Sequence, residues 1–188
     1  MSTRPNRIAD TNIINGLQQS NSFFASTALL AVGAGFGLLT AADTIINAFE
    51  QSFVHVVIDR SAFYVKVGLL MALYAYAFFK FGWAYRLYNY SGIMLIATPD
   101  EDPGGREQIA ARAAEMNIEA AGQFAHGLRA FFLAIPVLAW FVSAWTFALA
   151  TLLVIAALLN RQFRSRARRM ARSSARLYAQ ASDDRAAG

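Results

Sequence analysis

Phe23 to Ala42 reads FFASTALLAVGAGFGLLTAA, twenty residues without a charge. A helix rises ~1.5 Å per residue and the hydrocarbon core of a bilayer is ~30 Å thick, so this segment has the length of a membrane crossing. Gly33, Gly35 and Gly37 would weaken it as a helix in water. Among lipids, small residues instead let a second helix approach closely. Ala31, Gly35 and Leu39 share one stripe, and tight helix packing is expected near Gly33 and Gly37.

Composition points the same way. Charged residues make up 15% of the chain, where a soluble domain carries about 25%. Mean hydropathy is +0.35. The 188 residues suit a single domain. Cysteine is absent, which excludes disulfides, thiolate metal sites and cysteine nucleophiles. The first twenty or so residues are polar and lack the pattern of a cleaved signal peptide, so the first apolar segment is expected in the mature protein.

Further apolar segments follow. A second span starts at Ala62, and its helical pattern continues through Lys80, Arg86 and Tyr90 to Ile96. A continuous helix of that length, ~50 Å, exceeds the bilayer core. Its end must project into water, bend or lie in the interface. Between the first two spans, Asp43 to Ser61 reads as a connector, with Phe53 to Ile58 a short interfacial helix or a strand. Thr98 to Gly105, TPDEDPGG, reads as a solvated turn. An alanine-rich amphipathic helix is expected next, with Ile109, Ala113, Met116 and Ala120 at helical spacing. Leu128 to Asn160 is apolar except for Arg129 and too long for one untilted span. Val142 to Trp145 is the natural place for it to fold in two.

The expected fold is an all-α, integral membrane four-helix bundle with an amphipathic cytoplasmic helix and a basic C-terminal helix. Residues 1–22 form a cytoplasmic N-terminal segment, residues 23–161 the membrane domain and residues 162–188 a basic cytoplasmic tail. The spans fall near 23–42, 62–86, 118–142 and 145–161. Charge selects this count. Eight of the seventeen cations lie at or after Arg161. Four crossings bring that tail to the same side as Arg4, Arg7, Arg106 and Arg112, the distribution of the positive-inside rule. A bacterial cytoplasmic membrane with both termini inside is the expected location. The alternative is a soluble all-α protein with long core helices.

Within this frame two helices carry polar groups at one depth. On the second, Tyr76, Lys80, Trp83 and Tyr90 share a face, with Arg86 at its edge. Lys80 lies about 9 Å deeper than Arg86. On the third, Glu119, Gln123, His126 and Arg129 recur at spacings of four, three and three. Ser20 to Ser22 and Ser26 reach the same level. The plain reading is that Lys80 and Arg86 snorkel to headgroups between interfacial aromatics, while the polar groups fix helix register. The functional reading is a ligand- or lipid-binding site of Lys80, Arg86, Tyr90, Glu119, Gln123, His126 and Arg129.

No catalytic residues and no cofactor are assigned. His55 and His126 fall on opposite sides of the membrane and cannot sandwich one haem iron. No metal-ligand spacing, phosphate loop, nucleophile elbow or dinucleotide fingerprint occurs. In the tail, Phe163, Met170 and Leu177 are seven residues apart, a basic amphipathic helix next to a span. Anionic lipid headgroups are its expected partner, ahead of a protein, with nucleic acid not expected.

Several segments together carry a resemblance. NSFFASTALL entering the first span, YAFFKFGWAYRLYNY ending the second, FAHGLRAFF entering the third and FRSRARR after the last resemble an uncharacterised membrane-protein family of bacteria and plants. That family bears only a domain-of-unknown-function label. The resemblance runs roughly from Asn6 to Arg169 and implies a multi-span membrane protein without implying an activity. His126 stands where such a family would most often show asparagine, which weighs against a catalytic histidine. The function expected is a non-enzymatic structural or accessory subunit of the membrane, self-associating or part of a larger complex through the glycine-rich first helix, with a cationic cytoplasmic-side layer binding anionic lipid or a small anion. An oligomeric anion channel or transporter is the first rival. The second is a membrane enzyme acting on a lipid or quinone through Glu119, His126 and Arg86.

Overall fold

The computed structural model describes residues 7–51, 59–96 and 103–163. They form helices α1 (Arg7–Thr40), α2 (Ala42–Glu50), α3 (Arg60–Ile96), α4 (Pro103–Ala139) and α5 (Ala144–Phe163). No strand occurs among the described residues. The all-α expectation holds, and α3 runs unbroken through Lys80 and Arg86 to Ile96, as its periodicity requires.

The segments differ from expectation in two places. The amphipathic helix and the third span are one 37-residue helix, α4. Pro103 opens it, because proline's fixed φ and missing N–H suit a first turn; Gly104 and Gly105, expected in the turn, belong to the helix. The connector after the first span begins with a helix, α2, whose Ala42 and Ile46 pack on Phe63 and Val67 of α3. Phe53 to Ile58 and the basic tail beyond Phe163 lie outside the described residues.

A seven-residue repeat of small and apolar side chains holds the bundle together. Asn21, Ala28, Gly35 and Ala42 are buried along α1 and into α2. Phe63, Leu70, Ala77, Ala84 and Ser91 are buried along α3, and Ala113, Ala120, Gly127 and Ala134 along α4. A strict heptad keeps one seam of a helix facing its neighbour over many turns. Alanine and glycine in that seam bring the backbones together and raise dispersion contacts, the main source of helix association where lipid surrounds the chain.

The pairings set direction. Gln18 meets Asn89, Phe24 stacks on Phe81, and Gly35 meets Met71, so α1 and α3 are antiparallel. Ser91 meets Ala113, Tyr74 meets Phe131 and Phe63 meets Phe141, so α3 and α4 are antiparallel too. Phe24 joins all three helices, its ring 5.6 Å from Phe81, 5.7 Å from Phe124 and 6.0 Å from Phe131. Among the described glycines of α1, the one in contact within the chain is Gly35, against Met71. Gly33 and Gly37, expected to pack, are exposed and have nothing near a Cβ position.

α4 continues through Pro136 and ends three residues later, at Ala139. Trp140 to Val142 form the turn, close to the predicted fold point. Ser143 caps α5: its Oγ accepts the Thr146 N–H at 3.1 Å, and the Thr146 Oγ1 accepts the Ser143 N–H at 3.1 Å. Thr146 Oγ1 also donates to the Ala139 carbonyl at 2.7 Å, closing the end of α4. Lys66 Nζ donates to the Trp140 carbonyl at 3.0 Å and lies 5.0 Å from the Trp140 ring. That half-buried end of α4 therefore has partners for carbonyls a helix terminus leaves open.

Candidate functional site

The two polar helix faces meet in part. Lys80, half-buried on α3, donates from Nζ to Gln123 Oε1 at 2.8 Å. Gln123 Nε2 donates to Glu119 Oε1 at 2.7 Å. A cation, an amide and a carboxylate are thus joined in a line, and their charges fix which way the amide points. Beside them an open groove of about 320 Å³ is lined by Tyr76, Phe79, Lys80, Trp83 and Gln123. Lys80 Nζ lies 5.5 Å from the Tyr76 ring centre.

Arg86 is elsewhere. It is exposed on α3, its Nη2 donates to the Tyr90 hydroxyl at 3.0 Å, and its guanidinium lies 5.7 Å from the Trp83 ring. The side chain is held by its own helix, one turn at a time. His126 and Arg129 are also exposed and, among the described residues, make no hydrogen bond or ion pair. Of the seven candidate residues, Lys80, Gln123 and Glu119 are brought together, Arg86 and Tyr90 form a separate outward pair, and His126 and Arg129 stand apart. Among the described residues no cluster of histidine, aspartate and glutamate could hold a metal ion.

A second polar layer was not read from the sequence. Asn117 Nδ2 donates to Ser91 Oγ at 2.7 Å, Ser91 Oγ donates to the Ala113 carbonyl at 3.1 Å, and Gln18 Nε2 donates to Asn89 Oδ1 at 2.9 Å. Asn21 is wholly buried, and neither its Nδ2 nor its Oδ1 has a protein partner. Of the SNS triplet, Asn21 alone faces inward; Ser20 and Ser22 are exposed. The signal was available: Asn21 and Ser91 occupy positions of the heptads that otherwise hold alanine, glycine and apolar residues.

Large apolar side chains cover the outside. Leu30 is 74% exposed, Phe79 71%, Ile118 73% and Trp145 86%. A soluble monomer seldom exposes apolar patches beyond a few hundred Å². Asn15–Thr40, Arg60–Met94 and Gln108–Ala139 are each long and apolar enough to cross a membrane, and Ala144–Asn160 is a shorter apolar helix. The fold is that of a helical membrane protein. The chain belongs to the family described as "Protein of unknown function, DUF599", whose model matches residues 1–167. No curated protein and no solved structure matches it.

Proposed function

We propose that the protein crosses a bacterial cytoplasmic membrane four times, with α1, α3, α4 and α5 as spans and both termini in the cytoplasm. It acts there as a structural or accessory subunit without catalytic activity of its own. The observation that carries this reading is the combination of an apolar exterior with an interior closed by packed rings and small residues. Phe24, Phe81 and Phe124 fill the centre of the bundle, which argues against an anion path through one protomer. Glu119 is bonded to Gln123, and His126 and Arg86 face outward, which argues against a shared catalytic centre. Arg86 suits anionic headgroups, as an exposed cation towards the polar end of the apolar run of α3.

The cysteine-free chain makes the topology directly measurable. Single variants Gln51→Cys and Asn160→Cys are expected to react with a membrane-impermeant thiol reagent from opposite faces, in protein that resists carbonate extraction. Labelling of both from one face would refute four crossings. Release by carbonate would refute membrane integration altogether.

A further inference from the structure

The groove beside Lys80 has an order of charges as well as a shape. Lys80 lies at the end of the apolar run that starts at Ala62. Glu119 precedes Gln123 by one helical turn, about 6 Å along α4, on the side away from the apolar run of residues 130–139. Moving outward from the apolar zone, the groove therefore presents the Lys80 cation, and beyond its lining, joined through the Gln123 amide, comes the exposed Glu119 carboxylate. Gln123 takes one N–H of Lys80 and one oxygen of Glu119. The remaining ammonium donors and the second carboxylate oxygen are left for a ligand. Tyr76 and Phe79 line the part nearer the apolar zone.

From this we infer that the groove seats a phospholipid with a phosphoethanolamine headgroup: phosphate at Lys80, ammonium at Glu119, acyl chain along Tyr76 and Phe79. The inference rests on the proposed membrane location and names the ligand of that site. The polarity matches a lipid in a leaflet, whose phosphate lies deeper than its terminal amine. The short ethanolamine linker covers about the one helical turn between the two charges. An anionic phosphoglycerol headgroup would meet Lys80 equally well but would leave Glu119 facing an uncharged group. A choline headgroup carries methyl groups in place of N–H donors and gives the carboxylate no hydrogen bond. Arg86, like Glu119, lies outside the groove lining, but its guanidinium is held on the Tyr90 hydroxyl and against the Trp83 ring and is not joined to the Lys80–Gln123–Glu119 line.

The test uses the full-length protein in liposomes with equal phosphatidylethanolamine, phosphatidylglycerol and phosphatidylcholine, extracted gently and weighed by native mass spectrometry. The wild type is expected to retain phosphatidylethanolamine roughly tenfold over either competitor, the weight of one charge-assisted hydrogen bond. Glu119→Gln should shift retention to phosphatidylglycerol, and Lys80→Gln should lose both. Glu119 is exposed, so its variant keeps the fold, as a helical spectrum and an unchanged melting midpoint will show; it decides the matter even if Lys80→Gln unfolds. Equal retention of phosphatidylcholine, preference for phosphatidylglycerol in the wild type, or an unchanged ratio in Glu119→Gln would each overturn the inference. Displacement by soluble glycerophosphoethanolamine would reassign the groove to a water-soluble phosphoester. Failure of any of these leaves carbonate resistance untouched, so it is separable from failure of the membrane reading.

Discussion

At Gly127 a Cβ would stand 2.6 Å from the Cε1 of Phe81 and 2.9 Å from its Cδ1. The Phe81 ring is wholly buried, with Phe24 at 5.6 Å and Phe124 at 5.4 Å, so it has little room to move. Gly127→Ala is accordingly expected to destabilise the bundle by about 1–3 kcal/mol, the usual cost of overpacking. Thermal unfolding in detergent reads this as a lowered midpoint, and Phe81→Leu in the same background should restore part of it. Gly35 makes a useful contrast, because its neighbour is the Cγ and Sδ of Met71. An unbranched thioether can change rotamer, so Gly35→Ala should cost less than Gly127→Ala. If the two cost the same, the helices do not approach as described.

At the level of elements, helix ends govern the end of the bundle where α3 begins and α4 turns into α5. Asp59 precedes α3, and its carboxylate accepts hydrogen bonds from the Ser61 hydroxyl and, at 3.1 Å, from the Ala62 N–H. These bonds, the Ser61 one foremost, hold its pKa below the ordinary value. The charged form is thus favoured by folding. The stability it brings is complete above the unfolded carboxylate's pKa, 3.8, and is lost as pH falls through the lower folded value. Asp59→Ala should therefore destabilise the protein at neutral pH and flatten the acid limb of a stability-versus-pH curve; an unaltered limb would remove the cap from the account. Ser143 at the start of α5 plays the same role without a charge. Ser143→Ala is expected to cost about 1 kcal/mol, seen as a lower unfolding midpoint, and to loosen the α4–α5 turn that Thr146 shares.

For the whole molecule the outer face of α1 is the open question that an experiment can answer. Gly33 and Gly37 are four residues apart on an exposed face, with space around both. A Cβ at either position meets nothing within 4 Å inside the protomer. Gly33→Leu and Gly37→Leu are therefore expected to leave the helical content and melting midpoint of the protomer unchanged. If the protein self-associates through this face, the same variants should shift its apparent mass in detergent toward the monomer. Unchanged mass would place any assembly on another surface.

The sequence by itself determined the class of this protein. Long uncharged runs, a low charged fraction and a break at Val142 to Trp145 are local properties, and they yield apolar helices whatever those helices pack against. The helical run from Ala62 to Ile96 was legible for the same reason. Which face of each helix turns inward is not local. It follows from the heptads of α1, α3 and α4 being read together, since a lipid-facing leucine and a core-facing leucine look alike in a segment apolar all round. Only the tertiary structure could decide that Gly35 and not Gly33 or Gly37 meets α3, or that Asn21 is enclosed while its neighbouring serines are not. It likewise split one apparent set of seven polar residues. Lys80, Gln123 and Glu119 join across α3 and α4 because their faces oppose at one height, whereas Arg86, about 9 Å from Lys80 along α3, and His126 and Arg129, about 4.5 and 9 Å from Gln123 along α4 in the opposite direction, are turned outward by the rotation of their helices.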